Sequence, residues 1–175
     1  MPRQPRPLLP ILTLAAALAA LAAAPARAGA LVEIPGSAGS VGLWSLAGYR
    51  SDTGDFDHCA ATLAYTGGEK LVLQALTDDR LAVVLSMPGV SHAPGQQFQA
   101  RLMTEVGLPA DGLAEALDSQ HVSMTFRGIE DTVAFLSAGQ TLRMLGVGMD
   151  AALATPDLGA AAALRDCARS QTAAP

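Results

Sequence analysis

The chain has a single lysine, few aromatic side chains, and no apolar run of membrane-spanning length beyond its first residues. Lys70 is that lysine, and Trp44, two tyrosines and four phenylalanines make up the aromatic complement. Basic residues are scattered and outnumbered, eleven Lys and Arg against sixteen Asp and Glu. Such a chain lacks the basic stripe that grips a phosphate backbone, which excludes nucleic acid as a partner. The same balance disfavours simple adhesion to anionic lipid. Cysteine is nearly absent: Cys59 and Cys167 stand alone, with no C-x-x-C spacing and no cationic cluster to activate a thiol. That sets redox chemistry aside. The chain also lacks G-x-S-x-G, H-E-x-x-H and the EF-hand spacing, and nothing in it marks a cofactor.

What is present begins at the N-terminus. Arg3 and Arg6 precede an apolar run over 8–24, which leads into Pro25-Ala26-Arg27-Ala28. A positive start, an apolar stretch and small residues at −3 and −1 form a secretory signal peptide over 1–28, cut after Ala28; a cut after Ala30 is the second reading. Pro10 interrupts the run, which falls a little short of the ~20 residues a bilayer span needs. No cysteine follows the cleavage site at once, so no lipid anchor is expected. The leader holds three of the eleven basic residues and none of the acidic ones, so removing it takes the net charge from −5 to −8. The mature protein is expected to be periplasmic or secreted, without a membrane span. In an oxidising compartment its two cysteines should pair, closing a loop around most of the chain. The chain-entropy model gives about 4.7 kcal/mol for a loop near 100 residues.

The remainder reads as a flexible N-terminal arm over 29–42, a single β-rich domain over 43–170, and a disordered tail over 171–175. The stretch 58–65 sets the pattern: Cys59, Ala61, Leu63 and Tyr65 alternate with His58, Ala60, Thr62 and Ala64, the period of a half-buried strand. Strands are also expected over 43–50, 70–76, 81–87, 97–104, 121–127 and 141–147. The stretch 113–117 is either a short strand or a helical turn, after a turn at 109–112. The period changes after Gly128, where Ile129, Val133 and Leu136 fall at helical spacing and Gly139 offers a stop. Thr155-Pro156-Asp157 starts a last helix that runs to about Arg169. Seven or eight short strands with one inserted helix and a C-terminal helix make a mainly β fold, an antiparallel β-sandwich or partly open barrel. Short turns between the early strands require antiparallel neighbours.

An early Trp, a Cys in the second strand, the run Phe135–Leu142 and the closing Leu158–Cys167 resemble small two-cysteine periplasmic β-rich proteins of alphaproteobacteria. The helix-then-strand pattern and the alanine-rich last helix are similar to the invasion-associated locus B family, although the more cysteine-rich pattern of that family is missing. The resemblance implies a β-rich periplasmic fold, a role at the envelope or host interface, and no catalytic residues.

Four groups carry candidate chemistry. Asp52, Asp55, Asp57 and His58 could surround a hard cation, although acids also simply favour turns. Ser91-His92 and Ser119-Gln120-His121 set hydroxyls near imidazoles, but neighbours on a strand point to opposite faces. His58, His92 and His121 are all expected at the surface. Gly42-Leu43-Trp44 matches the G-x-W that opens lipocalin-like barrels, and an early Trp is equally a core plug. The loop 88–95, with two Pro-Gly pairs, is the best candidate for a rigid presented surface. The leading expectation is a non-enzymatic exported binding or accessory protein at the envelope, with an envelope or host protein as partner. The alternatives are a small-ligand lipocalin-like barrel or barrel-type protease inhibitor and, third, an unrecognised hydrolase.

Overall fold

The computed structural model describes residues 30–175 apart from 108, 156–158 and 173–175. The expected signal peptide and its cleavage site lie outside the described residues. The strands in chain order are β1 (Val32–Glu33), β2 (Gly39–Val41), β3 (Trp44–Arg50), β4 (Phe56–Ala64), β5 (Lys70–Leu76), β6 (Arg80–Ser86), β7 (Gln97–Thr104), β8 (Ala110–Ala116), β9 (His121–Arg127), β10 (Thr141–Gly146) and β11 (Met149–Ala154). Helix α1 (Ile129–Leu136) stands between β9 and β10, and α2 (Gly159–Thr172) closes the chain.

All eleven strands belong to one antiparallel sheet, ordered β1-β3-β4-β5-β6-β9-β8-β7-β10-β11, with β2 also paired to β3. The two ends of this path do not pair, so the sheet curls without closing into a barrel. The run β3 to β6 is the meander that its short turns require. The connection from β6 then passes over two strands to reach β7, so β9 and β8 fill the space between them.

Alternation decides the inner face. Cys59, Ala61 and Leu63 of β4 lie beside Leu71, Leu73 and Ala75 of β5 and Leu81, Val83 and Leu85 of β6, all buried in one cluster. Leu102, Met124, Met144 and Trp44 complete it, and all four are fully or almost fully buried. Across this face lies α2, which buries Ala160, Ala161, Leu164 and Ala168. A disulfide joins Cys59 to Cys167 with Cα atoms 6.2 Å apart and a sequence separation of 108. A bridge needs Cα atoms within ~7 Å, so the expected pairing is met.

Several boundaries differ from the sequence reading. The expected arm over 29–42 contains β1 and β2, and the chain between them is tied to β3 as well. Ile34 N donates to Gly48 O (2.8 Å), and Gly48 N donates to Ser37 Oγ (2.9 Å). Gly42, with φ +57°, opens a two-residue turn that folds β2 onto β3. The expected turn at 109–112 is already strand from Ala110, and β8 carries 113–116 as strand, with Leu117 just past its end. β11 carries Met149, Ala151 and Leu153 inward, a strand the sequence reading missed. In the expected tail, Gln171 and Thr172 continue α2, while 173–175 lie outside the described residues. Gly139 does not supply a left-handed stop, since α1 ends at Leu136 with Ser137 as its cap. A Cβ at Gly139 would meet Glu105 N at 3.0 Å, so glycine is needed there for close backbone approach.

Tyr65, on the β4–β5 connection, donates its hydroxyl to Ala154 O at the end of β11 (2.6 Å). Burial pushes this hydroxyl up to about 12. A raised pKa in the folded state means that the folded form keeps its proton while the unfolded chain loses it. Stability contributed by Tyr65 is thus present below pH 10 and lost as pH rises from 10 toward 12. In a spectrophotometric titration one tyrosine should ionise late, and Tyr65→Phe should remove that late component. A Tyr65→Phe titration with the late component still present would contradict the assignment.

Candidate functional site

The outward side chains of the same strands build two very different surfaces. On β7, β8, β10 and β11 the face is laced with ion pairs. Arg101 grips Asp111 through both nitrogens (2.6 and 2.9 Å), Arg143 grips Asp150 (2.8 and 2.7 Å), and Gln97 reaches Glu115 (3.3 Å). These groups satisfy each other across the strands and are exposed, so solvent screens the pairs and they add little to stability.

On β3, β4, β5, β6 and β9 the register aligns outward residues in rows. One row runs Ser45, Thr62, Val72, Val84, Ser123, and the next runs Ala47, Ala60, Gln74, Ala82, Thr125. These central rows carry no charge. Ala60, Ala82 and Val84 are buried although they face away from the core cluster. Above the two rows lie Tyr49, His58, Leu76, Arg80 and Arg127; below them lie Ala64, Lys70, Ser86 and His121. A cleft of about 690 Å³ at the upper corner is lined by Asp78, Asp79, Arg80, Thr125, Arg127 and Gly128. A smaller one of about 270 Å³ lies toward β1 and β2, with Glu33, Tyr49, Ala60 and Thr62 in its lining.

His58 is the most constrained polar group of this face. It was expected at the surface, yet only 5 % of it is exposed. Tyr49 pairs with His58 and Arg50 with Phe56, which leaves Asp57 as the extra residue of a β-bulge. The bulge breaks the alternation and lets consecutive side chains meet. His58 Nδ1 donates to Asp57 Oδ2 (2.5 Å), Gln74 Nε2 donates to His58 Nε2 (3.4 Å), and the ring stacks on Tyr49 with centroids 5.0 Å apart. Both ring nitrogens are thereby occupied, and neither has a hydroxyl or thiol partner among the described residues.

The other candidates do not converge. Asp55 Oδ2 accepts from Thr53 Oγ1 (2.8 Å) within its own turn, whereas Asp57 is engaged by His58. No group of three or more His, Cys, Asp or Glu is placed to hold a metal among the described residues, so the cation reading of Asp52, Asp55, Asp57 and His58 is not supported by their positions. His121 Nδ1 donates to Asp118 Oδ2 (2.7 Å) and stays partly exposed. The Gln120 backbone amide, followed by the His121 ring, holds the Asp118 carboxyl below its usual range.

His92 is a second correction, buried to 8 % exposure where surface was expected. The 88–95 loop is strapped across the β8–β9 turn: His92 N donates to Ser119 O (3.2 Å) and Gly95 N to Ala116 O (2.7 Å). This turns the imidazole inward onto Phe98, with ring centroids 5.0 Å apart and Nε2 without a partner among the described residues. An orphaned buried polar atom is costly. His92→Phe, which keeps a flat ring against Phe98, should therefore raise stability by about 1 kcal/mol in urea denaturation. A loss of stability would show that Nε2 is satisfied in solution.

No family model matches this chain, and no curated protein matches it. What the coordinates define is an architecture: a curled antiparallel sheet of eleven strands whose inner face is strapped by a disulfide to a C-terminal helix. The crystal structure of invasion associated protein B from Bartonella henselae is similar in fold. The match has a TM-score of 0.50 at 16 % identity and covers 76 % of this chain and 95 % of that one. The distant resemblance read from the alanine-rich helix and the early Trp is thus met at the level of fold.

Proposed function

We propose that this chain is a non-enzymatic accessory protein, exported to the periplasm or beyond, whose work is binding another protein at the cell envelope. One observation carries the reading. The interior of the curled sheet is filled by Trp44, Leu71, Leu73, Leu81, Leu85, Leu102, Met124, Met144 and Leu164, while the clefts described lie on the outside. A lipocalin-like carrier needs an apolar cavity of ~300 Å³ or more inside its strands. The alternative site, an uncharged outer face between charged rows, suits a macromolecular surface. The disulfide supports an oxidising compartment. No helix of the described residues is long and apolar enough to cross a membrane. The similarity to invasion associated protein B supports the envelope setting through the fold.

The test is cross-linking in the native compartment. Cells expressing the tagged full chain are fractionated, treated with a short cross-linker, and analysed alongside native mass spectrometry of the purified protein. The expected result is an exported protein, with no retained small molecule, joined to a discrete protein partner. A tightly retained small ligand without a protein cross-link would return the carrier reading. Retention of the whole chain in the cytoplasm would end the proposal.

A further inference from the structure

The two ends of the sheet are finished differently. At the N-terminal end, β1 and β2 are only two and three residues long. Together with the bonds from Ile34 and Ser37 to Gly48, they cover the outer side of β3. Short, broken strands of this kind leave no template for a further chain. At the other end, β11 runs six residues, pairs only with β10 and keeps an unbroken register. It holds no proline, no lysine and no bulge, the usual guards of an edge. Its one charge, Asp150, is already held by Arg143 of the same chain (2.8 and 2.7 Å). The register decides which backbone groups are open. Thr155 N donates to Gln140 O (2.7 Å), one step beyond the pairing of Ala154 with Thr141. Antiparallel ladders alternate bonded and non-bonded pairs, so Leu153, Ala151 and Met149 turn their N–H and C=O groups to β10, while Ala154, Ala152 and Asp150 turn theirs away. In line with this, Ala154 O accepts from the Tyr65 hydroxyl (2.6 Å). The backbone N–H and C=O groups of Asp150 and Ala152 have no partner among the described residues, and both residues are exposed.

We propose that this edge pairs with β11 of a second copy, antiparallel about a two-fold axis at Ala151, so that the two sheets join into one. Asp150 exchanges both backbone bonds with the partner subunit's Ala152, and Ala152 exchanges both with the partner subunit's Asp150. Tyr65 already fills Ala154 O, which limits the pairing on that side. Both faces of the strand match themselves in this register. On the outer face each Asp150 stands opposite an alanine, with its own Arg143 as counter-charge. On the inner face Ala151 meets its counterpart and Met149 meets the partner subunit's Leu153, apolar against apolar at the rim of each core. The two-fold contact consumes both open edges. The joined sheet then ends in the short β1 and β2 on either side, so growth stops at two copies. A foreign strand is the weaker occupant, because Asp150, the only charge on β11, is already paired and selects no side chain.

The experiment uses the purified, oxidised protein, so its outcome is independent of any envelope partner. Sedimentation equilibrium should show monomer and dimer, with association tightening as salt is added because both copies carry net negative charge. Hydrogen exchange at the Asp150 and Ala152 amides should slow as protein concentration rises, and by more than at Ala151 and Leu153, which β10 already holds. Ala152→Pro removes an N–H that β10 does not use, a position where an edge strand tolerates proline. Ala152→Glu leaves the backbone intact and sets a like charge against the partner subunit's Asp150. Each variant should weaken dimerisation by about tenfold or more while keeping the far-ultraviolet spectrum of the parent, and the glutamate variant decides where the proline one fails to fold. A monomer at every concentration and salt, or exchange at Asp150 and Ala152 that ignores concentration, would overturn the pairing. A dimer that survives Ala152→Glu would place the contact elsewhere, and assembly beyond two copies would refute the closed two-fold. Protection of the two amides that appears only with envelope extract would give the edge to a foreign strand instead.

Discussion

Replacing Cys59 and Cys167 together by alanine should lower stability by about 2–5 kcal/mol, measured by urea denaturation of the oxidised parent against the variant. The bond closes a loop with a sequence separation of 108, so its absence returns a large conformational freedom to the unfolded chain. The folded state has little to put in its place. Three of the four buried α2 residues, Ala160, Ala161 and Ala168, are alanines, and only Leu164 brings a large apolar side chain. Each alanine methyl supplies about 0.8 kcal/mol of burial. The ion pairs from Glu130 to Arg165 (3.2 Å) and Arg169 (2.7 Å) are open to solvent, which screens them, so they hold the helix only weakly. Hydrogen exchange should then show α2 opening first, with β4, β5 and β6 protected until global unfolding. A variant that loses under 1 kcal/mol, or one whose α2 amides keep parental protection, would show that packing alone retains the helix.

The strands that could be read from sequence are those whose inward residues are large and whose outward residues differ in kind. β7 and β9 have that contrast, with Phe98 and Leu102 set against Gln97, Gln99 and Arg101, and Val122, Met124 and Phe126 against His121, Ser123 and Thr125, and their positions follow from period alone. β11 alternates Met149, Ala151 and Leu153 with Asp150, Ala152 and Ala154, and alanine on both faces removes the signal. β1 and β2 are two and three residues long, too short to show a period at all. The site was less legible for a different reason. His58 and Asp57 meet only because Tyr49 and Arg50 skip a residue on β4, and nothing local to 56–58 announces a bulge. Burial of His92 depends on where the 88–95 strap lands, which is decided by the crossover from β6 to β7. The uncharged rows are invisible until five strands are set in register, since Ala47, Ala60, Gln74, Ala82 and Thr125 come from five separate stretches of chain. The disulfide was legible because the sequence of 1–28 reads as an export signal and a count of two cysteines leaves one pairing.

Trp44→Ala should cost about 3–5 kcal/mol, the range for removing a large aromatic from a closed core. Trp44 is fully buried, sits at the start of β3 directly after the Gly42-Leu43 turn, and belongs to the same cluster as Leu63 and Leu71. Its position at the mouth of the first strand is the one that the Gly42-Leu43-Trp44 spacing shares with lipocalin-like barrels. Here the ring is packed into the buried cluster of the inner face, so its removal creates a void instead of opening a binding chamber. The loss should appear as a lower urea midpoint with the slope of the transition unchanged, because the surface exposed on unfolding stays nearly the same. Trp44→Phe fills part of the void and should recover a portion of the stability. A Trp44→Ala protein as stable as its parent, holding a small apolar ligand in native mass spectrometry, would instead mark the interior as a carrier site that the tryptophan had plugged.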